Sequence, residues 1–329
     1  MKQRFYTFMA TMFVALLLSC NLMSPASSGR PFEVLVVAYT EAQQKAIDNA
    51  LETYVEGLPQ PELSFRLMHT NMQGYDSTMK LVRNIVIADV QDIYTTTKVK
   101  VAKNTYANHQ IILTIQSPSD SELATYVAKN SDKLVEYINK AEIDRQVAVL
   151  KKDHSQVALH LTDSLFGCKV LLPKDFISTK KAKDFLWIGT KSTSSERFFI
   201  MYSYPYSTTD VFTKEYFVSK RDSVLKENIP GGVEGSYMKT DSAFTAVRNT
   251  TVQGKYAMEA KGLWNMVGDF MGGPYVSHTR VDTVNNRIVT AEVFIYAPEK
   301  SKRNLVKQME ASLYTVELPA TEANVQKKK

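Results

Sequence analysis

The stretch YVSHTRVDTVNNRIVTAEVFIY, residues 275–296, carries the clearest structural signal in this chain of 329 residues. It contains two runs rich in β-branched and aromatic residues, Tyr275–Val281 and Arg287–Tyr296, and such runs favour strands. Asn285-Asn286 lies between them, and Asn tolerates the left-handed backbone of tight turns. The stretch therefore predicts two antiparallel strands joined as a hairpin.

Similar signals extend upstream and downstream through the second half of the chain. Thr213 is placed to cap a helix that runs to Asn228, and Pro230 follows its end. A helix over 299–314 closes this half. Further strands are predicted over 168–173, 185–190, 197–204, 244–248 and 256–264.

The first half opens with the apolar run FEVLVVA, residues 32–38, which predicts a buried strand. Thr40 can cap a helix over 41–56. A helical region from 118 to 166 has a predicted break near Asp153, and Gly167 is a suitable C-terminal stop. Residues 63–68 follow the helix over 41–56, and three further strands are predicted over 84–91, 97–102 and 110–116.

Strands that follow one another, with helices that come singly, are typical of α+β domains. We therefore predict two α+β domains, each a mainly antiparallel sheet packed with helices. The predicted segments are a signal peptide over 1–19, a lipidated Cys and tether over 20–30, an N-terminal domain over 31–152, a C-terminal domain over 153–316 and a disordered tail over 317–329.

Composition narrows the class of protein. The chain is 44% hydrophobic and 22% charged, which excludes collagen-like, low-complexity and wholly disordered proteins. Its two cysteines exclude a disulfide framework and a Cys-rich metal site. The net charge is +6 and would be +4 after loss of Lys2 and Arg4 with a signal peptide, too small a surplus to indicate a nucleic-acid partner.

The N-terminal residues MKQRFYTFMATMFVALLLSC have the order of a bacterial signal peptide. Lys2 and Arg4 precede an apolar stretch that is too short to span a bilayer. Leu17-Leu18-Ser19-Cys20 then resembles a lipobox, although Leu18 is bulkier than usual. We expect lipidation at Cys20, and the alternative is a simple signal peptide cut elsewhere. No acidic run follows Cys20, and its absence favours a protein that faces the periplasm. The expected location is the outer membrane.

Catalytic templates are missing from the sequence. No HExxH, GxSxG or P-loop occurs, so we expect no metal and no cofactor. We predict that Cys168 is a small, buried apolar residue. Eight of the thirteen glycines fall within 230–275, interleaved with aromatic residues that could form a partner groove or complete a core. The candidate binding residues in this region are Tyr237, Trp264, Phe270, Met271 and Tyr275.

Short motifs along the whole mature chain carry a family resemblance: GRP at 29–31, RNI at 83–85, FLWI at 185–188, YSYPY at 202–206, GSYM at 235–238, GLW at 262–264, FMGGP at 270–274 and YAP at 296–298. Together they resemble an uncharacterised lipoprotein family of Bacteroides and its relatives, known as domain of unknown function 4837. The resemblance implies no activity and carries over no catalytic residue. The order of elements in the second half is similar to that of Mog1/PsbP-type α/β/α domains, which often act as binding or assembly modules.

These observations favour a non-enzymatic envelope lipoprotein that binds a protein, lipid or glycan partner and is held at the membrane through Cys20. Two alternatives stay open. One is an envelope hydrolase that uses Glu234, Glu259 or Asp269, with His278 the remaining ionisable residue of that region. The other is a surface-exposed lipoprotein that captures nutrients or host glycans.

Overall fold

The computed structural model describes residues 24–191 and 195–320 and divides them into two compact units. The first unit combines the chain up to Ala46 with Leu67–Tyr126, and the second combines Ile47–Arg66 with the chain from Val127 onward. This division differs from the linear one predicted at 152/153. The difference arises because the helix that ends at Lys152 packs with the closing helix of the second unit.

The first unit contains a five-stranded sheet in the order β2-β1-β3-β5-β4. Its strands β1, β3 and β5 run parallel, and β4 pairs antiparallel with β5 at the edge. The elements are β1 (Glu33–Val37), α1 (Glu41–Leu51), β2 (Arg66–Thr70), a 3-10 turn (Met79–Leu81), β3 (Asn84–Val90), β4 (Lys98–Lys103), β5 (Ile111–Ser117) and α2 (Asp120–Lys129).

The α+β prediction is confirmed, but the sheet of the first unit is mixed rather than mainly antiparallel. The cause is that β3 and β4, which follow one another in the chain, do not pair as a hairpin, because β5 lies between them. β1 is buried along its whole length, as strands inside parallel sheets are. Helix α1 ends at Leu51, earlier than predicted, and Tyr54 then pairs with Leu63.

The start of the described chain, predicted as a tether, is bonded to the first unit. Ala26 and Ser28 form bridges with Asn108 and Val82. The Asn108 side chain donates a hydrogen bond to the carbonyl oxygen of Ser24 at 2.6 Å. The chain is therefore fixed from Ser24 onward, while the predicted signal peptide and Cys20 lie outside the described residues.

The second unit contains a seven-stranded antiparallel sheet in the order β6-β7-β8-β12-β11-β10-β9. The elements are α3 (Ser131–Lys152), α4 (Gln156–Phe166), β6 (Ser178–Ala182), β7 (Phe185–Gly189), β8 (Glu196–Pro205), a 3-10 turn (Thr209–Phe212), α5 (Lys214–Asn228), β9 (Tyr237–Val252), β10 (Lys255–Val267), β11 (Gly272–Asp282), β12 (Arg287–Tyr296) and α6 (Arg303–Leu313).

Several local signals of this half are confirmed. β11 and β12 pair up to the Asp282–Arg287 register, and Asn286 in the turn has a positive φ of 46°. The Thr213 hydroxyl accepts the N–H of Tyr216 at the start of α5. The strand predicted over 168–173 is reduced to one bridge between Lys169 and Glu317, which also ties down the start of the predicted tail.

Helices cover both faces of the second sheet. Alternate residues of a strand point to opposite faces, and in β12 Val293 packs with α4 and α6, whereas Phe294 packs with α5. The result is a three-layer arrangement with a core on each side of the sheet. Within residues 24–191 and 195–320, no helix is both long and apolar enough to cross a membrane.

Candidate functional site

Most of the glycine- and aromatic-rich region lies in the long strands of the second unit. β10 pairs with both β9 and β11, and Trp264 stands opposite Gly273 in this register. The β10–β11 hairpin turns over residues 268–271, where Gly268 has a φ of +80°. The region is therefore an ordered part of the sheet with a short projecting hairpin tip.

The five candidate binding residues do not share one open surface. Trp264 and Tyr275 are only 2% and 1% exposed and belong to the core beneath α5. Tyr237 and Met271 are half-buried. Phe270 is fully exposed at the hairpin tip. Their role in binding stays a prediction, and only Phe270 presents its whole ring to solvent.

Trp264 is part of an aromatic cluster that reaches the edge of this core. Its ring lies 5.7 Å from that of Phe294, edge to face, and 6.3 Å from that of Tyr296. Phe198 stacks on Phe294 at 4.7 Å, and Trp187 lies 5.4 Å from Phe198. We call these five residues the aromatic patch. Trp187, Phe198 and Tyr296 are half-buried, so the patch is open along its margin.

The patch depends on two glycines that leave room for the rings. A Cβ atom at Gly273 would lie 2.0 Å from the carbonyl oxygen of Ile295 and 3.2 Å from Nε1 of Trp264. At Gly189 it would lie 2.7 Å from the Trp187 ring. The buried Nε1–H of Trp264 finds no hydrogen-bond acceptor among the described residues. The patch therefore holds an unsatisfied donor, a group that costs free energy when it is left unpaired.

Sequence reasoning missed Trp187, Phe198 and Tyr296 as members of this patch. The available signal was the alternation of aromatic residues along each strand. The register Phe198–Phe294 between β8 and β12 brings them together, and that pairing joins segments almost a hundred residues apart. No local pattern contains it.

The three carboxylates of the hydrolase alternative lie on different elements. Glu234 is exposed in the loop before β9. Asp269 lies at the hairpin tip, where its side chain accepts the N–H of Phe270 at 2.6 Å. Glu259 is buried in the middle of β10, opposite Arg248 and His278. Of these three carboxylates, only Glu259 lies beside His278.

Glu259 is enclosed by Arg248, Lys261 and His278. Its Oε1 accepts Arg248 at 2.6 Å and lies 3.3 Å from Nζ of Lys261, and its Oε2 lies 3.3 Å from Nε2 of His278. Burial alone would raise the pKa of Glu259, but the His278 hydrogen bond and the charges of Lys261 and Arg248 outweigh it and hold the pKa well below its usual range. A general acid or base works best with a pKa near the operating pH, so this carboxylate is poorly matched to proton transfer.

The space beside Glu259 is small. A cleft of about 30 Å³ is lined by Glu56, Ala246, Val247, Arg248, Glu259 and Lys261. Small-molecule sites in proteins usually occupy about 300–1,000 Å³, so this cleft is below their range.

Metal and thiol chemistry find little support in the part of the chain that the structure describes. No group of three or more His, Cys, Asp or Glu residues is placed there to hold a metal ion. Cys168 is a free, buried thiol, and burial raises its pKa to about 12. A thiol with that pKa stays protonated at neutral pH and is a poor nucleophile.

Comparison with known families concerns the two halves of the chain separately. Residues 155–315, which hold the whole second sheet, match the family described as a domain of unknown function, DUF4837. The chain contains a DUF4837 domain. Residues 27–151 match a second domain of unknown function, DUF8532. The DUF4837 match confirms the family resemblance, and the two matches meet beside the boundary predicted at 152/153. No curated protein matches the chain.

Proposed function

We propose that this DUF4837 protein is a membrane-anchored cell-envelope lipoprotein that acts as a binding or assembly module and not as an enzyme. The support for the anchor is the sequence Leu17-Leu18-Ser19-Cys20 directly after an apolar stretch. We assign the protein to the outer membrane, and because no acidic run follows Cys20, we expect it to face the periplasm. Several acyl chains on one Cys would anchor the protein stably, where a single chain would not.

The anchor is tested by lipid labelling in cells. Cys20→Ala should abolish incorporation of labelled palmitate and move the protein out of the membrane fraction, because no acceptor thiol remains at the lipobox. Cys168→Ala is the matched control, since its thiol is buried, and it should keep the label. A Cys20→Ala variant that is still labelled would refute the lipoprotein assignment. Digestion of the protein by protease added to intact cells would instead favour the surface-exposed alternative.

The partner surface is the hairpin tip that presents Phe270, and this fully exposed ring is the observation that carries the proposal. Val267 is exposed three residues before Phe270 in the sequence, and Val233 is exposed in the loop before β9, the strand that pairs with β10. A projecting aromatic side chain suits insertion into an apolar pocket of another protein, where such residues contribute most of the binding energy. We therefore propose a protein of the cell envelope as the partner.

A glycan partner fits the same residues less well. Sugars stack on open aromatic faces, but the rings of Trp264 and Tyr275 are covered. Arg221 lies over the Tyr275 ring, 3.9 Å from its centroid, and Phe294 lies against Trp264. We propose no enzymatic role because Arg248, Lys261 and His278 engage the carboxylate oxygens of Glu259.

The partner surface is tested by photo-crosslinking in intact cells. A photoreactive amino acid in place of Val267 should give one discrete adduct with an envelope protein. Phe270→Ala should abolish that adduct because the projecting ring is lost. Phe244→Ala is the control, since Phe244 is also exposed but lies in β9. An adduct that persists in Phe270→Ala, or one formed with lipid or glycan, would refute the proposed protein partner.

A further inference from the structure

The N-terminal end of the described chain is fixed to the loop between β4 and β5. The Asn108 N–H donates to the carbonyl oxygen of Pro25 at 2.7 Å, and the Asn108 side chain donates to that of Ser24. Ser28 in turn donates to the carbonyl oxygen of Leu81 at 2.8 Å. The chain therefore enters the first unit beside Asn108.

Little chain separates this entry point from Cys20. Four residue steps lead from Cys20 to Ser24, and a fully extended chain spans at most about 3.6 Å per residue, or roughly 14 Å in all. If Cys20 carries the lipid, as proposed above, the surface around Asn108 is held within about 14 Å of the headgroups. Salt screens charges beyond a Debye length of about 8–10 Å, so protein charges near Asn108 must approach the headgroups more closely than about 14 Å to interact with them strongly.

The edge strand that leads to the entry point is rich in Lys. Residues 93–119 and 77–88 contain no Asp or Glu. Lys103 is exposed at the end of β4, next to the loop that holds Asn108. Lys98 and Lys100 are exposed farther along the same edge strand, where Lys100 interacts with the carboxylate of Asp89. Nζ of Lys80 lies 5.6 Å from the centroid of the Tyr106 ring, which is 42% exposed. We call Lys80, Lys98, Lys100, Lys103 and Tyr106 the basic edge.

We infer that the basic edge docks on anionic phospholipid headgroups of the membrane that holds Cys20. The inference rests on the proposed lipid anchor, and two observations lead to it: the short reach from Cys20 to Ser24 and the positive charge where the chain enters. Each Lys near an anionic bilayer strengthens binding roughly fivefold, and Tyr106 supplies an amphipathic ring of the kind that prefers the membrane interface.

The test uses the full mature chain without lipid, Cys20→Ser, and vesicles of phosphatidylglycerol and phosphatidylcholine. This chain should bind vesicles that contain phosphatidylglycerol, not those of pure phosphatidylcholine, and should be released when NaCl rises from about 50 mM to about 0.5 M. The triple variant Lys98→Gln, Lys100→Gln, Lys103→Gln should bind about a hundredfold more weakly. The control triple Lys151→Gln, Lys152→Gln, Lys183→Gln removes the same charge from exposed sites of the second unit and should bind within about threefold of the parent.

Three results would overturn the inference: no preference for phosphatidylglycerol, an equal loss in the control triple, or unchanged binding in the β4 triple. Lysines on an edge strand can also serve to prevent pairing with other chains. In that case the β4 triple would self-associate in gel filtration and keep its vesicle affinity. Palmitate labelling of Cys20 is independent of these measurements, so a failed docking inference is distinguishable from a failed anchor.

Discussion

At the scale of single residues, Arg221 and Glu292 show how the second sheet accommodates charge in its core. Arg221 on α5 donates two hydrogen bonds to Glu292 on β12, at 2.8 and 2.6 Å, and both side chains are completely buried. The guanidinium also bonds to Thr240. Burial works against the charged guanidinium, but the facing Glu292 carboxylate outweighs it and raises the pKa of Arg221.

Breaking this ion pair should lower the free energy of unfolding more than replacing both partners with apolar residues. Glu292→Gln leaves a buried cation without its counter-charge and should lower the free energy of unfolding by about 3–5 kcal/mol. The double variant Arg221→Met, Glu292→Leu should be more stable than Glu292→Gln, because no buried charge is left unpaired. Urea denaturation measures both. As a control, Lys140→Ala at the exposed Lys140–Asp144 pair should change stability little. A double variant no more stable than Glu292→Gln would contradict this account.

At the scale of elements, the sequence predicts the local features of the second unit but not a contact between distant segments. Helix α5 begins at Thr213, whose hydroxyl caps the backbone, and the sequence predicts this because the cap and the helix are neighbours. Helix α6 has no such signal, since Lys302 at its N-cap makes no side-chain cap.

The cap of α6 comes instead from Glu62, about 240 residues earlier in the chain. Its carboxylate accepts the N–H groups of Lys302 at 2.6 Å and Arg303 at 3.1 Å, and the hydroxyl of Ser301. Burial would raise the pKa of Glu62, but these hydrogen bonds outweigh it and lower the pKa. No window of sequence contains both partners, so the sequence predicts a helix over 299–314, whereas the helix begins later, at Arg303.

The candidate site follows the same rule. Sequence composition alone distinguishes 230–275 from the rest of the chain, and the exposed Phe270 lies there. It could not separate Phe270 from Trp264, because burial is decided by the register of β10 with β11 and by the helix α5 above the sheet. The first sheet differs for the same reason: the insertion of β5 between β3 and β4 is a long-range pairing.

At the scale of the whole molecule, the second unit is built from more than the DUF4837 match. Helix α3, outside the match, packs on α6, and Nζ of Lys307 on α6 donates to Asn139 on α3 at 2.6 Å. Burial lowers the pKa of Lys307 to about 8. Leu58 packs against the core beneath α4 and α6, and Glu62 caps α6. The unit therefore draws on Ile47–Arg66 and on the chain from Val127.

A fragment that begins close to the start of the DUF4837 match should therefore lack part of the second unit. Residues 153–320 alone would expose the α6 surface that α3 covers and lose the Glu62 cap. Each kcal/mol lost lowers Tm by about 2–4 °C in a domain of this size, so we expect a Tm about 10 °C or more below that of the full chain, with exposed apolar surface that binds a hydrophobic dye.

The matched control separates the missing segments from the cut itself. A protease site placed at the exposed Asp153 allows the full chain to be nicked at the same position while every segment stays present. The nicked protein should keep a Tm close to that of the intact chain, because α3, Leu58 and Glu62 remain in place. Equal Tm values for the fragment 153–320 and the intact chain would show that the DUF4837 region folds without Ile47–Arg66 and α3, and that the packing of these segments adds little to its stability.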